Sequence, residues 1–329
     1  MPRPSRPPSD PRARRGLHSA IHGILVLDKP AGMTSATAVE QVRRALGAQR
    51  AGHGGTLDPI ATGVLPICLG AATKLAQFLL ADDKAYIADG VLGVETDTLD
   101  RTGRVVAQRS AAVSRDALVA ALAAHTGEQT QVPPMYSAIK QGGVRLYDRA
   151  RAGEEVERAP RPIRIDRLEL LAFEPPRFQI AIACSKGTYV RSLVADLGAA
   201  VGAGAHLSEL RRTRSGRFAI EQALPIEQLA DRLADGLAGV ALVPPEQALE
   251  LPGATVAAAR IPQVVSGVQL PVSTWGVNAS QFQLFDESGR LLAVAHDEAG
   301  RTVYDRVFPE LIAAPPRGEA GRGSGRPGA

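Results

Sequence analysis

The stretch GHGGTLDP, Gly52 to Pro59, reads as neither strand nor helix, and the chain on either side divides around it. Glycines at Gly52, Gly54 and Gly55 free the backbone for positive φ and for close approach by another molecule. Pro59 biases Asp58 away from the helical region. A single ionisable carboxylate on a constrained loop is one form of enzymatic nucleophile. The same spacing also describes an ordinary Asx-type turn, and the octapeptide alone leaves both readings open.

Upstream, Gly23 to Asp28 reads as a buried strand that ends at Lys29-Pro30 and a Gly32 turn. A helix follows, with Thr37 and Glu40 as a capping box or a start at Thr34 or Ser35. Val39, Val42 and Leu46 line one face, and Gly47 suits the position after the last turn. Downstream, Gly63 to Leu69 reads as a second apolar strand, and Thr73 as the cap of a helix through Leu80. Tyr86, Ala88, Gly90 and Leu92 alternate as one face of a strand. Thr96 to Asp100 with Gly103 form a polar, acidic loop. Ser114 caps a helix from Arg115 to His125 that Gly127 ends. Pro133 to Ser137 is extended, and Gln141 to Gly143 turns between short strands. Residues 163–173 and 177–184 are strand-like, and Ser185 to Arg191 lead into an apolar helix. From Leu251 to Phe308, short β-like stretches alternate with Gly, Pro and Asn turns, which marks a small separate β-rich domain.

A chain of 329 residues, 45% hydrophobic and 22% charged, can form one large domain or a large one plus a small one. No apolar run approaches the roughly 20 residues of a membrane span. Two distant cysteines, Cys68 and Cys184, fit a reducing cytoplasm. The formal charge of +4 is a property of the ends. Residues 1–20 carry five Arg against one Asp, and 314–329 three Arg against one Glu, so both read as disordered basic tails and 21–313 is left at −2. A case for nucleic acid therefore rests on local clusters. The strongest is Lys186, Arg191, Arg211, Arg212, Arg214 and Arg217 against Asp196 and Glu209, which suits phosphate contacts as well as it suits a solvated surface.

His53 has no partner at metal-ligand spacing, and neither a phosphate-binding GxxxxGK[ST] loop nor a dinucleotide fingerprint occurs. The expectation is chemistry without metal or cofactor. Lys29, His53, Asp58, Tyr86, Tyr189 and Arg191 each follow a strand or loop and are awkward to bury. A carboxylate meeting an arginine is oriented by a charge-assisted pair, and an aromatic ring beside it can stack a base. Each tyrosine fits a core position with a wetted hydroxyl equally well.

Read together over residues 21–310, these segments resemble the TruB family of pseudouridine synthases, bacterial enzymes that isomerise uridine 55 in the TΨC loop of tRNA. The resemblance is carried by Gly23 to Pro30 with Gly32 to Ser35, by GHGGTLDP with Ala61 to Gly63, and by Lys84-Ala-Tyr86. It continues through Thr96 to Asp100, Pro133 to Lys140, Lys186 to Arg191 and Ala205 to Arg212. It implies an α/β (α+β) pseudouridine synthase fold around a largely antiparallel sheet over 21–250, with an insertion within 93–140. It also implies a PUA-like RNA-binding domain over 251–313. By resemblance Asp58 is the catalytic aspartate, Tyr86 packs on the target base and Arg191 pairs with Asp58. Tyr189 and Leu210 belong to the substrate pocket, Lys29 and Pro30 support the loop, and His53 fills the place vacated by a flipped nucleotide. Gly54 departs from the family, where Thr or Ser is frequent. The partners implied are the tRNA T-arm and no membrane, with a cytoplasmic monomer. Two other readings keep part of this: an RNA-folding module without catalysis, and an enzyme that acts within a guide-RNA particle.

Overall fold

The computed structural model describes residues 21–312, except 137–139, 142–143, 146–148, 150–153, 155 and 235, and only the backbone of 140–141, 144–145 and 238. The two tails and the tip of the Gln141 to Gly143 turn lie outside the described residues.

The first strand, β1 (Gly23–Lys29), is buried along nearly its whole length, which fits its unbroken apolar sequence. Its alternation still sorts side chains to two faces. Leu25 and Leu27 join one core cluster, whereas Ile24 and Val26 join another. Helix α1 (Ser35–Leu46) is capped by Thr34, whose side chain accepts from the Thr37 amide, and it ends at Gly47 with φ 65°. Thr34 is therefore the correct one of the three starts read from the sequence. Glu40 does not close a capping box but accepts from Arg43 and Arg44 on its own helix. The buried stripe is Ala38, Val42 and Leu46, with Val39 only packed against its edge.

Strand β2 (Ala51–His53) pairs with β3 (Thr62–Leu69), so the first two residues of GHGGTLDP are strand after all and only the rest of it, from Gly54, connects two antiparallel neighbours. Thr73 caps nothing. It lies inside a 3-10 turn (Gly70–Leu75) that runs into the short helix α2 (Ala76–Ala81), and its hydroxyl donates to the Gly70 carbonyl. Strand β4 (Lys84–Leu92) follows, then the hairpin β5 (Val94–Thr96) and β6 (Val105–Gln108). Helix α3 (Arg115–Ala124) is capped by Ser114. Gly127, read as a helix stop, opens strand β7 (Gly127–Gln131) with φ 103°. The pair β8 (Lys140–Gln141) and β9 (Val144–Arg145) stands apart from the main sheet. Next come β10 (Arg161–Glu174), β11 (Arg177–Cys184), helix α4 (Val190–Ala200) and β12 (Ala205–Ser215).

Strands β13 (Phe218–Ala219) and β14 (Leu224–Pro225) complete a ten-stranded sheet, in which eight strands run in the order β14-β1-β3-β12-β4-β11-β10-β7. In it β2 pairs with β3 and β13 with β12, while β5–β6 and β8–β9 form separate two-stranded sheets. The large sheet is largely antiparallel, as the resemblance implied, but β1–β14 and β3–β12 run parallel. A second sheet of four strands, β15 (Gly253–Thr255), β16 (Gln281–Phe285), β17 (Leu291–Glu298) and β18 (Arg301–Val307), is built from the C-terminal region. Leu291, Val294, Phe308 and Leu311 from that region share a core cluster with Ile24, Val26, Val64 and Leu79. The opposite face of the large sheet is covered by residues of α1 and α4.

Candidate active site

Register decides what meets. Lys29 lies opposite Gly63, Gly63 opposite Arg212, and Arg212 opposite Tyr86, so four positions from β1, β3, β12 and β4 form one row across the sheet. Directly opposed residues point to the same face. Their face is the one that α1 and α4 cover, and Leu210, two residues before Arg212, shares it.

The Gly54 to Pro59 turn hangs over this row and is held at nearly every peptide. Gly54 N–H donates to Pro66 O, the Arg212 guanidinium donates to Gly55 O and Thr56 O, and Gly32 N–H donates to Pro59 O. Ser35 Oγ meets both the carbonyl and the amide of Leu57, at 3.0 and 2.8 Å. Only Gly55 of the three loop glycines takes a positive φ, 148°. Gly54 is needed for another reason: a Cβ there would stand 2.7 Å from Leu79 Cβ. Gly52 has open space around it and no such requirement.

Asp58 and Arg191 meet. Arg191, in the first turn of α4, donates from Nε to Asp58 Oδ2 at 2.8 Å. Its Nη2 donates to Tyr136 O at 2.8 Å and its Nη1 to Thr98 O at 3.1 Å, while Asp100 Oδ2 stands 3.9 Å away. The Arg191 side chain is 4% exposed and that of Asp58 36% exposed, so the arginine is a buried brace and the aspartate its solvent-facing partner. Asp58 Oδ1 accepts no hydrogen bond from the described residues.

The pair lines two cavities. One, of about 260 Å³, is formed by Asp58, Arg191, Tyr86, Tyr189, Leu210, Lys84 and Arg212 among others. The other, of about 390 Å³, is formed by Asp58, Arg191, His53, Thr98, Asp100 and Tyr136 among others. Asp58, Tyr86, Tyr189, Arg191 and Leu210 thus come together around the first cavity, and His53 lies on the second. Lys29 and Pro30 line neither of these two cavities. Lys29 is 0% exposed and donates to Pro30 O and Met33 O, tying down the turn that holds Pro59. Burial pulls its ammonium down to about 8, opposed by the nearby Asp58 charge. Burial likewise lowers the His53 pKa and raises that of the Tyr86 hydroxyl.

Two site residues went unread. Lys84 is buried with its ammonium on Leu79 O, Leu80 O and Asp82 O, and burial lowers it to about 8. Arg212 is 1% exposed and carries the turn. The 186–217 charge cluster therefore divides, since Arg191 and Arg212 serve the interior and Arg211 pairs with Asp28 at 2.8 Å. Lys186 and Arg214 remain exposed. The one available signal for Arg212 was its neighbour: two arginines in succession on a strand must point to opposite faces. Among the described residues no group of three or more His, Cys, Asp or Glu is placed to hold a metal ion, and no helix is long and apolar enough to cross a membrane.

The fold is that of solved pseudouridine synthases. The chain superposes on a Cbf5–Nop10–Gar1 complex with a TM-score of 0.69 and 28% identity, covering 90% of this chain and 87% of that one. A structure of an H/ACA RNP bound to a substrate RNA containing 2′-deoxyuridine matches with a TM-score of 0.67, 26% identity and coverage of 90% and 87%. Residues 43–190 match the model described as TruB family pseudouridylate synthase (N terminal domain), and 191–250 that described as tRNA pseudouridylate synthase B C-terminal domain. The tRNA pseudouridine synthase B of Pseudomonas aeruginosa (strain UCBPP-PA14) is 53% identical over 220 residues, 67% of this chain and 72% of that protein. That of Symbiobacterium thermophilum is 50% identical over 263 residues, 78% and 86% of the two. The chain belongs to the TruB family of pseudouridylate synthases.

Proposed function

We propose that this chain isomerises uridine to pseudouridine at position 55 in the TΨC loop of tRNA, with Asp58 as the catalytic carboxylate. The observation that carries the reading is the Asp58–Arg191 pair at the junction of two cavities, one oxygen held and the other without a partner among the described residues. The reaction breaks the N1–C1′ bond, turns the uracil and rejoins it through C5. No net redox change occurs, so the proposal requires no cofactor and no metal. A uracil inside a stack is out of reach, and flipping it out costs a few kcal/mol. Tyr86 and Tyr189 supply aromatic faces for the extruded base, and Leu210 an apolar wall. His53, beside the second cavity, occupies the place that the base leaves. Asp58 then serves as a nucleophile at C1′ or C6, or as the base that removes a C2′ proton. All three routes need the same ionised carboxylate.

The four-stranded C-terminal sheet is assigned as a PUA-like RNA-binding domain over 251–313, and the segment within 93–140 as the grip on the T-arm. The enzyme acts as a cytoplasmic monomer on tRNA, without a guide particle. The test is Asp58→Asn on a T-arm stem-loop: pseudouridine formation should vanish while RNA binding persists. A near-parental yield from that variant overturns the assignment.

A further inference from the structure

We infer that Arg212 is a positioning residue for the reaction, a buried brace that sets where the Asp58 carboxylate stands; this rests on the reading of Asp58 just given. The argument begins with its hydrogen bonds. Nε donates to Val64 O at 2.7 Å, Nη2 to Gly55 O at 3.1 Å and Nη1 to Thr56 O at 3.2 Å. All three nitrogens of one guanidinium are committed to main-chain carbonyls, and two of those carbonyls lie three and two residues before Asp58. None is committed to an acid. A buried cation that meets carbonyl oxygens and no carboxylate is a costly arrangement compared with a neutral side chain, and its return is geometric: a planar fork fixes three acceptors at once.

The rest of the site is built against this fork. Gly55 takes a positive φ, and a Cβ there would sit 3.6 Å from Nη1. Gly63, opposite Arg212, brings β3 so near that a Cβ would stand 2.2 Å from Arg212 O. Tyr86 is directly opposite on β4, and the Arg212 charge counteracts the upward push of burial on its hydroxyl. The same charge adds to the lowering of the Lys29, Lys84 and His53 pKa values. Arg212 thus joins the turn that carries the carboxylate, the strand that carries the aromatic ring and the strand that follows the turn. Ser35 clamps the next peptide of the turn, Leu57, through a different element, α1. Between them the two side chains leave Asp58 only its own torsions to vary.

A lysine keeps the charge but offers one nitrogen on a stem that cannot serve carbonyls of residues 55, 56 and 64 together. Displacement of a reacting group by about 1 Å is enough to cost about 100-fold in rate. The test measures single-turnover pseudouridine formation at saturating T-arm RNA, RNA Kd and cooperative unfolding for the parent, Arg212→Lys and Asp58→Asn. The expected result for Arg212→Lys is a rate lowered about 100-fold with Kd within about threefold of the parent. An unchanged rate in a folded Arg212→Lys overturns the inference, as does an equal loss of rate and binding. Should Arg212→Lys unfold, Ser35→Ala releases the same turn without emptying the buried site. It must show the same split, and a parental rate there overturns the inference. A parent that forms no pseudouridine brings down the functional reading itself, and this inference with it.

Discussion

Replacing Arg191 by alanine tests the link between burial and catalysis most directly. The substitution removes three hydrogen bonds donated by one cation, to Asp58 Oδ2, Tyr136 O and Thr98 O. Hydrogen bonds to charged groups contribute about 1.5–3 kcal/mol each, so a simple sum would approach the whole stability of a domain. That sum is too large, for two reasons seen in the geometry. Asp58 is 36% exposed, so water solvates its carboxylate once the arginine is gone. The vacated volume adjoins both cavities, so water also reaches the Thr98 and Tyr136 carbonyls. What remains is the penalty of breaking a pair with one buried member, about 3 kcal/mol at the low end of the usual range. The catalytic loss has a separate origin. Without Nε, the carboxylate loses the contact that fixes its rotamer, and misorientation of about 1 Å costs on the order of 100-fold. Arg191→Ala should therefore unfold about 3 kcal/mol more easily in urea, and turn over T-arm RNA at least about 100-fold more slowly under single-turnover conditions where it is still folded. A rate within about threefold of the parent would show that the pair does not orient the reacting group.

Two further expectations follow from burial and from backbone geometry. Lys29 and Lys84 both titrate near 8 in the folded protein against a usual 10.5, so between pH 8 and 10.5 the unfolded chain binds more protons and stability should rise with pH. The upper bound is on the order of 3 kcal/mol per lysine; urea melts from pH 7.5 to 9.5 measure it, and a slope no steeper than that of Lys84→Met refutes it. Gly63→Ala places a Cβ 2.2 Å from the Arg212 carbonyl at a φ of 101°. It should cost about 3 kcal/mol or more, whereas Gly52→Ala, with open space around it, should cost a few tenths. Equal urea midpoints for the two variants would remove the packing argument for Gly63.

Strands β1, β3, β4, β10 and β11 and helices α1 and α3 were legible because each carries its own signal within a few residues. Leu25, Leu27 and the apolar run of β3 declare burial, while Thr34, Ser114 and Gly47 mark helix ends. Misreadings arose where one residue type serves two structures. Gly127 was as good a helix stop as a strand start, and its positive φ belongs to β7. Glu40 sits at capping-box spacing from Thr37, yet Arg43 and Arg44 on the next turn offer it stronger partners. The direction of the strands came only from resemblance to a family, because pairing is set by contacts far apart in sequence.

Arg211 and Arg212 show why the site was only half visible. They are adjacent, of one type, and contribute equally to any count of charge. On β12 they face opposite ways, so one meets Asp28 near the surface while the other is sealed beneath the turn by strands β3 and β4. The partners that separate them lie more than 120 residues away, and no periodicity within β12 distinguishes an arginine bound for phosphate from one bound for carbonyls. The consequence reaches RNA binding. Each phosphate contact to a single strand steepens the dependence of log K on log salt by about 0.7. Two of the six cations between 186 and 217 are buried, and Arg211 already has a carboxylate, so the cluster can carry little more than half the slope its charge suggests. Under the proposed function, the remainder of the affinity comes from shape and stacking. Removing an interior arginine should therefore change rate far more than salt dependence.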